Sequence, residues 1–247
     1  MSSRRDEFKS GSSNPATRFL EWDSNAKGFK FYDKEKKENI PVKVPFKFLV
    51  LKSLHTVKGW HNKSESGIYA NEISNMGEML TVKSFKGGHI ISGIYRDIKE
   101  KLQGGVYYKS IYVMLGDGSI ANISLKGASC AMWGDFTKKT SSRLADEWVA
   151  VTGAEDQKNG SVKYSVPMFE FKGSLTEADG IKADEAYDVL SEYFKDYMAR
   201  KVEEAPSADE LLEAEETPSK VAHIEPAKKA PVAVTQIDDN DEYELPF

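Results

Sequence analysis

One cysteine, Cys130, and four histidines are all that this 247-residue sequence offers of those two residue types. A single thiol excludes an internal disulfide framework and any CxxC pair, and it fits a reducing compartment. His55, His61, His89 and His223 lack the spacing partners that a zinc site needs. Long apolar runs are also missing. The longest, such as FLVL at 48–51, fall well short of the ~20 residues that span a bilayer and suit buried strands instead. The first residues, MSSRRDEFKSGSSNP, carry charge with no apolar stretch behind it, unlike a secretory signal. A soluble protein of the cytoplasm is expected.

Catalytic signatures are equally scarce. There is no GxxxxGK[ST] loop and no GxSxG elbow. GDGSIA at 116–121 has the letters of a dinucleotide-binding loop, but the strand-like NISLK follows where a helix is required, so a hairpin turn is expected. Glu65, Glu72, Glu78, Asp97, Asp117 and Asp135 are scattered, without the close pairing of a two-metal centre. No catalytic residue, metal or cofactor is therefore expected. A nuclease that draws metal ligands from distant acids stays open as an alternative, as does a protein-interaction or virion-associated protein.

What the sequence does have is segregated charge. The formal net charge is −5, yet residues 201–247 hold four Lys against thirteen Asp/Glu, while residues 43–143 hold fifteen Lys/Arg against seven Asp/Glu. A basic body followed by an acidic end points to a polyanionic partner more sharply than the net charge does.

Periodicity predicts a mainly β (α+β) body. Residues 1–17, rich in Ser and charge, are expected to be flexible, and 18–200 to form the folded domain. GFKFYD (28–33) is a short strand. IPVKVPFKFLVLKSLHTVKGW (40–60) is a long one, with Val42, Val44, Phe46, Phe48 and Val50 on one face and Lys43, Lys47, Leu49 and Leu51 on the other. Pro41 and Pro45 predict an edge or a bulge at its start. Strands at 66–74 and 78–86 follow, then a short helix over 92–103 with Ile94, Ile98 and Leu102 four apart. Strands at 106–115 and 119–126 flank the turn Gly116-Asp117-Gly118. A further hairpin is predicted from 146–153 to 161–172 across a polar loop. The best helix covers 183–200, with Tyr187, Leu190, Tyr193 or Phe194, and Tyr197 as its apolar stripe. Residues 201–237 read as a disordered linker. Three strands, a short helix and two strands is the order of an OB-fold, a small barrel that commonly binds oligonucleotides. The fold expected is thus an OB-fold-like β-barrel with an extra hairpin, a C-terminal helix and a disordered acidic tail.

Aromatic residues interleave with cations along the basic stretch. Single-stranded nucleic acid calls for that pairing, because bases stack on rings at ~1–3 kcal/mol each while Lys and Arg follow the phosphates. The candidate contacts are Lys43, Lys47, Lys58, Trp60, Lys63, Tyr69, Lys83, Phe85, Lys86, Tyr107, Lys109 and Trp133. Phe46, Phe48 and Tyr112 are assigned to the core. Trp133, within GASCAMWGDF, either stacks on a base or packs a small helix against the barrel. RNA satisfies the same stacking chemistry as DNA.

The chain closes on DDNDEYELPF, with Asp238, Asp239, Asp241, Glu242 and Glu244 ahead of Leu245, Pro246 and Phe247. A basic β body, a Pro/Ala/Glu linker and this ending together resemble single-stranded DNA-binding proteins of bacteria and tailed bacteriophages. Bacterial members end in acids and Ile-Pro-Phe, phage members in acids closed by Phe. Leu245 stands here in place of the usual Ile. The motif covers residues 238–247, and the body matches in general character only, being longer than the usual bacterial subunit. The resemblance implies a body that coats single-stranded DNA during replication, recombination and repair, in the host cytoplasm if phage-encoded. It also implies a tip that recruits partners such as a polymerase or helicase. Phe247 would enter an apolar pocket while its carboxylate and the neighbouring acids meet a basic rim, with Pro246 limiting the freedom lost on docking.

Overall fold

The computed structural model describes residues 13–138 and 140–203, and the tail residues Asp238–Phe247 and most of the linker lie outside them. The chain runs β1 (Arg18–Asp23), β2 (Gly28–Asp33), β3 (Glu38–Pro41), β4 (Phe46–His61), β5 (Ser66–Ala70), β6 (Met79–Ser84), β7 (Gly88–Ile94), α1 (Tyr95–Ile98), β8 (Gly105–Leu115), β9 (Ile120–Leu125), α2 (Gly127–Lys138), β10 (Glu147–Asn159), β11 (Val162–Ser174) and α3 (Glu177–Glu203). The expected class holds: a mainly β body with a helix after its last strand.

The strands pair in the order β3-β2-β1-β9-β8-β4-β5-β6-β7, with β10 joining β4 and β11 joining β10. β4 is the spine. Its first three residues pair with β10, most of its length with β8, and its last four residues with β5. The ladder does not close on itself, because the free edge of β9 takes β1 in parallel. The β10–β11 hairpin instead leans back to the β1–β2 turn. There the Trp22 indole N–H donates to the Ser165 carbonyl at 2.7 Å, and the Ser165 N–H donates to Ser24 Oγ at 2.6 Å.

Residues that face each other across a ladder share a face of the sheet, and neighbours along a strand alternate. The inner face wraps a core of Leu20, Phe29, Phe48, Ile111, Val113, Ile123, Val149 and Val151, into which α2 inserts Trp133. A smaller core of Val57, Ile68, Leu80 and Val82 lies under β5 and β6, capped by Ile98 and Leu102. The outer face has two halves. Over one, α3 seats Ala183, Ala186, Leu190 and Phe194 on Leu49, Leu54, Tyr112, Met114 and Trp148. Thr176 starts this helix: its Oγ1 accepts the Asp179 N–H at 3.1 Å, and Glu177 and Asp179 suit the positive end of the dipole.

Several expectations need correcting. Residues 13–17, expected to be flexible, are docked: Ala16 is buried, Asn14 Nδ2 donates to the Tyr112 hydroxyl at 3.1 Å, and the Thr17 N–H donates to the Ile120 carbonyl. The long strand over 40–60 is split at residues 42–45, Pro41 ending β3 and β4 starting after Pro45. The helix over 92–103 shrinks to one turn and a 3-10 turn, because residues 88–94 find their backbone partners on β6. The polar loop at 154–160 continues both arms of the β10–β11 hairpin, pairing from Ala154–Pro167 to Asn159–Val162. The stripe of α3 is rotated: Tyr187 is exposed, and Ala183 and Ala186 hold the buried positions. The turn at Gly116–Gly118 is a hairpin as expected, with Ser119 N–H bound to Asp117 Oδ1 at 3.0 Å.

Candidate nucleic-acid interface

Among the described residues no helix lies over the other half of the outer face, and three exposed rings gather there. Trp60, Tyr69 and Phe85 are 56%, 40% and 74% exposed. Register places them together. Trp60 faces Gly67 across β4–β5, Tyr69 lies two residues along β5, and the Phe85 N–H binds the Gly67 carbonyl at 3.0 Å. Gly67 is what lets Phe85 lie down on the sheet, since a Cβ there would stand 3.1 Å from the ring. Phe85 stacks on Tyr69 with centroids 4.7 Å apart.

The backbone under these rings is fixed by small groups. Gly59 and Gly104 let β4 and the turn before β8 close up beneath Trp60; a Cβ on Gly59 would meet the Gly104 carbonyl at 2.1 Å. Ser66 Oγ accepts the Lys86 N–H at 3.1 Å and Ser84 Oγ the Gly87 N–H at 2.9 Å, which anchors the turn carrying Phe85 and Lys86. Large apolar surfaces held open in this way mark contact sites more often than random exposure does.

Cations alternate with the rings. Lys58 and Lys83 both face Tyr69, one from each neighbouring strand. Lys63, in the 3-10 turn after β4, and Lys86 stand exposed nearby. Lys58 Nζ donates to Ser124 Oγ at 2.7 Å and lies 5.6 Å from the centre of the Tyr108 ring. Lys126 Nζ lies 5.8 Å from that same ring centre. Burial pulls the Lys58 amine below the usual lysine range, with Glu21 and Glu72 opposing the shift. Burial also raises the Tyr108 phenol above its ordinary value.

Of the residues expected from sequence, the structure brings Lys58, Trp60, Lys63, Tyr69, Lys83, Phe85 and Lys86 to this surface. Five do not join them. Lys43 precedes β4 and Lys47 lies near its start, at the end remote from Trp60, with Lys47 Nζ 4.3 Å from the Trp148 ring centre. Tyr107 and Lys109 point to the inner face, because each falls one residue out of step with Tyr108. The Tyr107 hydroxyl sits 2.6 Å from His55 Nδ1, and Lys109 Nζ donates to His55 Nε2 at 3.1 Å. Burial and the Lys109 charge hold His55 down at about 4. Trp133 is core: 3% exposed, it packs edge-on to Phe169 at 4.9 Å and against Phe48 and Phe136. Tyr108 and Lys126 are not among the contacts expected from sequence, yet they lie beside Lys58 on this face. The signal for Tyr108 was strand parity, since it shares a face with Ser110 and Tyr112.

Among the described residues, no three His, Cys, Asp or Glu side chains converge as metal ligands would, and no helix is long and apolar enough to cross a membrane. No family model matches the chain, and neither a curated protein nor a solved structure matches it.

Proposed function

We propose that this chain is a sequence-independent single-stranded DNA-binding protein and that the uncovered half of the outer face is where the strand lies. The observation that carries the reading is the cluster of Trp60, Tyr69 and Phe85, exposed around Gly67 and flanked by Lys58, Lys63, Lys83 and Lys86. Rings presented flat give bases a stacking surface without reading their edges, and ammonium groups beside them follow the phosphates. The absence of converging acids among the described residues gives no support to a metal-dependent nuclease. Coating and protecting single strands during phage DNA replication, recombination and repair is the role that suits this chemistry. Recruitment of replication proteins through Asp238–Phe247 completes it.

The test is a fluorescence titration with oligo-dT at two salt concentrations. Binding is expected to be indifferent to base composition, with log affinity falling against log salt by about 0.7 per phosphate neutralised. Absence of salt-sensitive binding overturns the reading and favours a protein-interaction role, and degradation of a labelled strand with magnesium favours the nuclease. Tighter binding to RNA than to DNA of the same sequence reassigns the strand. Deleting residues 238–247 is expected to leave DNA binding intact or tighter, because the acids compete with DNA for the basic surface, while capture of polymerase or helicase is lost. Loss of DNA binding on that deletion contradicts the role given to the tip.

A further inference from the structure

On the same face as the exposed rings, further across the sheet on β8 and β9, lies an unusual run of buried polar side chains. Ser110, Asn122 and Ser124 are all at most 2% exposed, on strands whose other residues are almost entirely apolar. Burying such groups is costly unless each finds a partner, and here they do. From Lys58 the bonds run in one direction. Lys58 Nζ donates to Ser124 Oγ at 2.7 Å, Ser124 Oγ to Asn122 Oδ1 at 3.0 Å, and Asn122 Nδ2 to Ser110 Oγ at 2.7 Å. Ser110 Oγ then donates to Glu72 Oε1. The Tyr112 hydroxyl donates to the other carboxylate oxygen at 2.8 Å. The chain thus links the half-buried Lys58 ammonium, at the margin of the open half, to a carboxylate at the boundary of the α3-covered half. Each bond along it runs in the same sense, so the charges at its two ends polarise the bonds between them.

Such a chain holds Lys58 in one place. A free lysine on a strand sweeps a wide arc, whereas this one is tethered at its nitrogen and set against the Tyr108 ring, with Lys126 near the same ring. Two ammonium groups beside one ring that opens onto the candidate interface make a fixed anion-binding point.

We propose that Lys58, Lys126 and Tyr108 form a phosphate subsite, and that Ser124, Asn122, Ser110 and Glu72 are positioning residues that fix Lys58 in it. The ligand is one phosphodiester of the bound strand, gripped between the two ammonium groups beside the Tyr108 ring. This rests on the single-strand reading above. It adds that one phosphate is held at a fixed point and sets the register of the bases on Trp60, Tyr69 and Phe85. Lys63 and Lys86, exposed at turns, attract the backbone without fixing it.

The experiment is an oligo-dT titration of full-length wild type, Lys58→Gln, Lys126→Gln and Ser124→Ala, followed by tryptophan fluorescence from 50 to 200 mM salt, with thermal melts of each. Lys58→Gln and Lys126→Gln are each expected to weaken binding about tenfold at low salt and to lower the salt slope by about 0.7. The fluorescence change at saturation is unaltered, because the rings still stack. Ser124→Ala is expected to reproduce the Lys58→Gln slope although its side chain is buried, a result that a purely structural role does not give. Should Ser124→Ala fail to fold, Lys58→Gln and Glu72→Gln decide the matter, Glu72→Gln being expected to weaken binding in the same direction. Wild-type affinity and slope in Lys58→Gln overturn the subsite while leaving the interface standing. A wild-type slope in folded Ser124→Ala and in Glu72→Gln overturns the positioning role. Failure of the wild type to bind oligo-dT at all overturns both the interface and the subsite.

Discussion

The two halves of the outer face are continuous stretches of the same strands, yet they have opposite fates. Along β4 and β8 the half that carries Leu49, Leu54, Tyr112 and Met114 is sealed by α3, while the half that carries Lys58, Trp60, Val106 and Tyr108 is left uncovered. The difference is not one of hydrophobicity alone. Trp60 at 56% and Phe85 at 74% exposure leave large ring surfaces uncovered. What separates the halves is the company of the rings. In the covered half, Tyr112 meets Phe194 edge-on at 5.2 Å. In the open half, the rings stand among lysines, and a helix laid over them would have to bury those charges. A single cation does not by itself keep a ring open, since Lys47 stands over buried Trp148 and Lys52 over buried Phe194; the open rings differ in having several lysines around them and no packed helix among the described residues.

The largest expected contrast is in stability. Leu190→Ala in α3 removes a fully buried side chain from the covered half and is expected to cost about 2–5 kcal/mol, read as a drop in the denaturation midpoint. Oligo-dT affinity of the folded fraction stays the same. An equal loss of affinity would mean that the helix, not the open sheet, contacts the strand. The converse substitution pair, Trp60→Ala and Phe85→Ala, is expected to lower affinity by ~1–3 kcal/mol for each ring that stacks, while stability moves by less than about 0.5 kcal/mol. Destabilisation without loss of binding would assign both rings to packing.

How much of this contrast was legible in the sequence depends on the residue. Alternation in FKFLVL placed Phe48 and Leu49 on opposite faces correctly, because strand parity is local. Trp60 and Phe85 were singled out because lysines neighbour them in sequence as well as in space, and Tyr69 because it lies within the same basic stretch. Tyr107 and Tyr108 could not be separated, since both lie within two residues of Lys109 and only the register with β4 tells which one faces outward. Trp133 has a Gly and an Asp after it, a surface-like setting, but α2 turns it onto Phe48 and Phe169. The polar chain from Lys58 to Glu72 spans residues from four sequence regions and could not be read before the strands were paired.

A smaller effect concerns the inner face directly behind the open half, where His55 is held down at about 4 from an ordinary 6.5 by burial and by Lys109. The folded protein resists protonating His55 while the unfolded chain does not. Stability from this group is therefore complete above about pH 6.5 and declines as pH falls toward 4. Partial solvent access reduces the contribution to on the order of 1 kcal/mol. Denaturant midpoints of the wild type are expected to fall more than those of His55→Gln between those two pH values; parallel curves would remove His55 from the account. The smallest effect belongs to Lys47→Ala, at the far end of β4 over Trp148. Its oligo-dT affinity is expected to stay within about twofold of wild type, a change of some 0.4 kcal/mol, and a tenfold loss would extend the interface into the covered half.

Ultraviolet cross-linking of the full-length protein to oligo-dT, with the attachment sites mapped by mass spectrometry, separates the two halves most directly. Adducts are expected on Trp60, Tyr69, Phe85 and Tyr108. Adducts confined to Tyr187, Tyr193 or Tyr197 of α3, with none on those four rings, would contradict the assignment of the open half as the strand-binding surface.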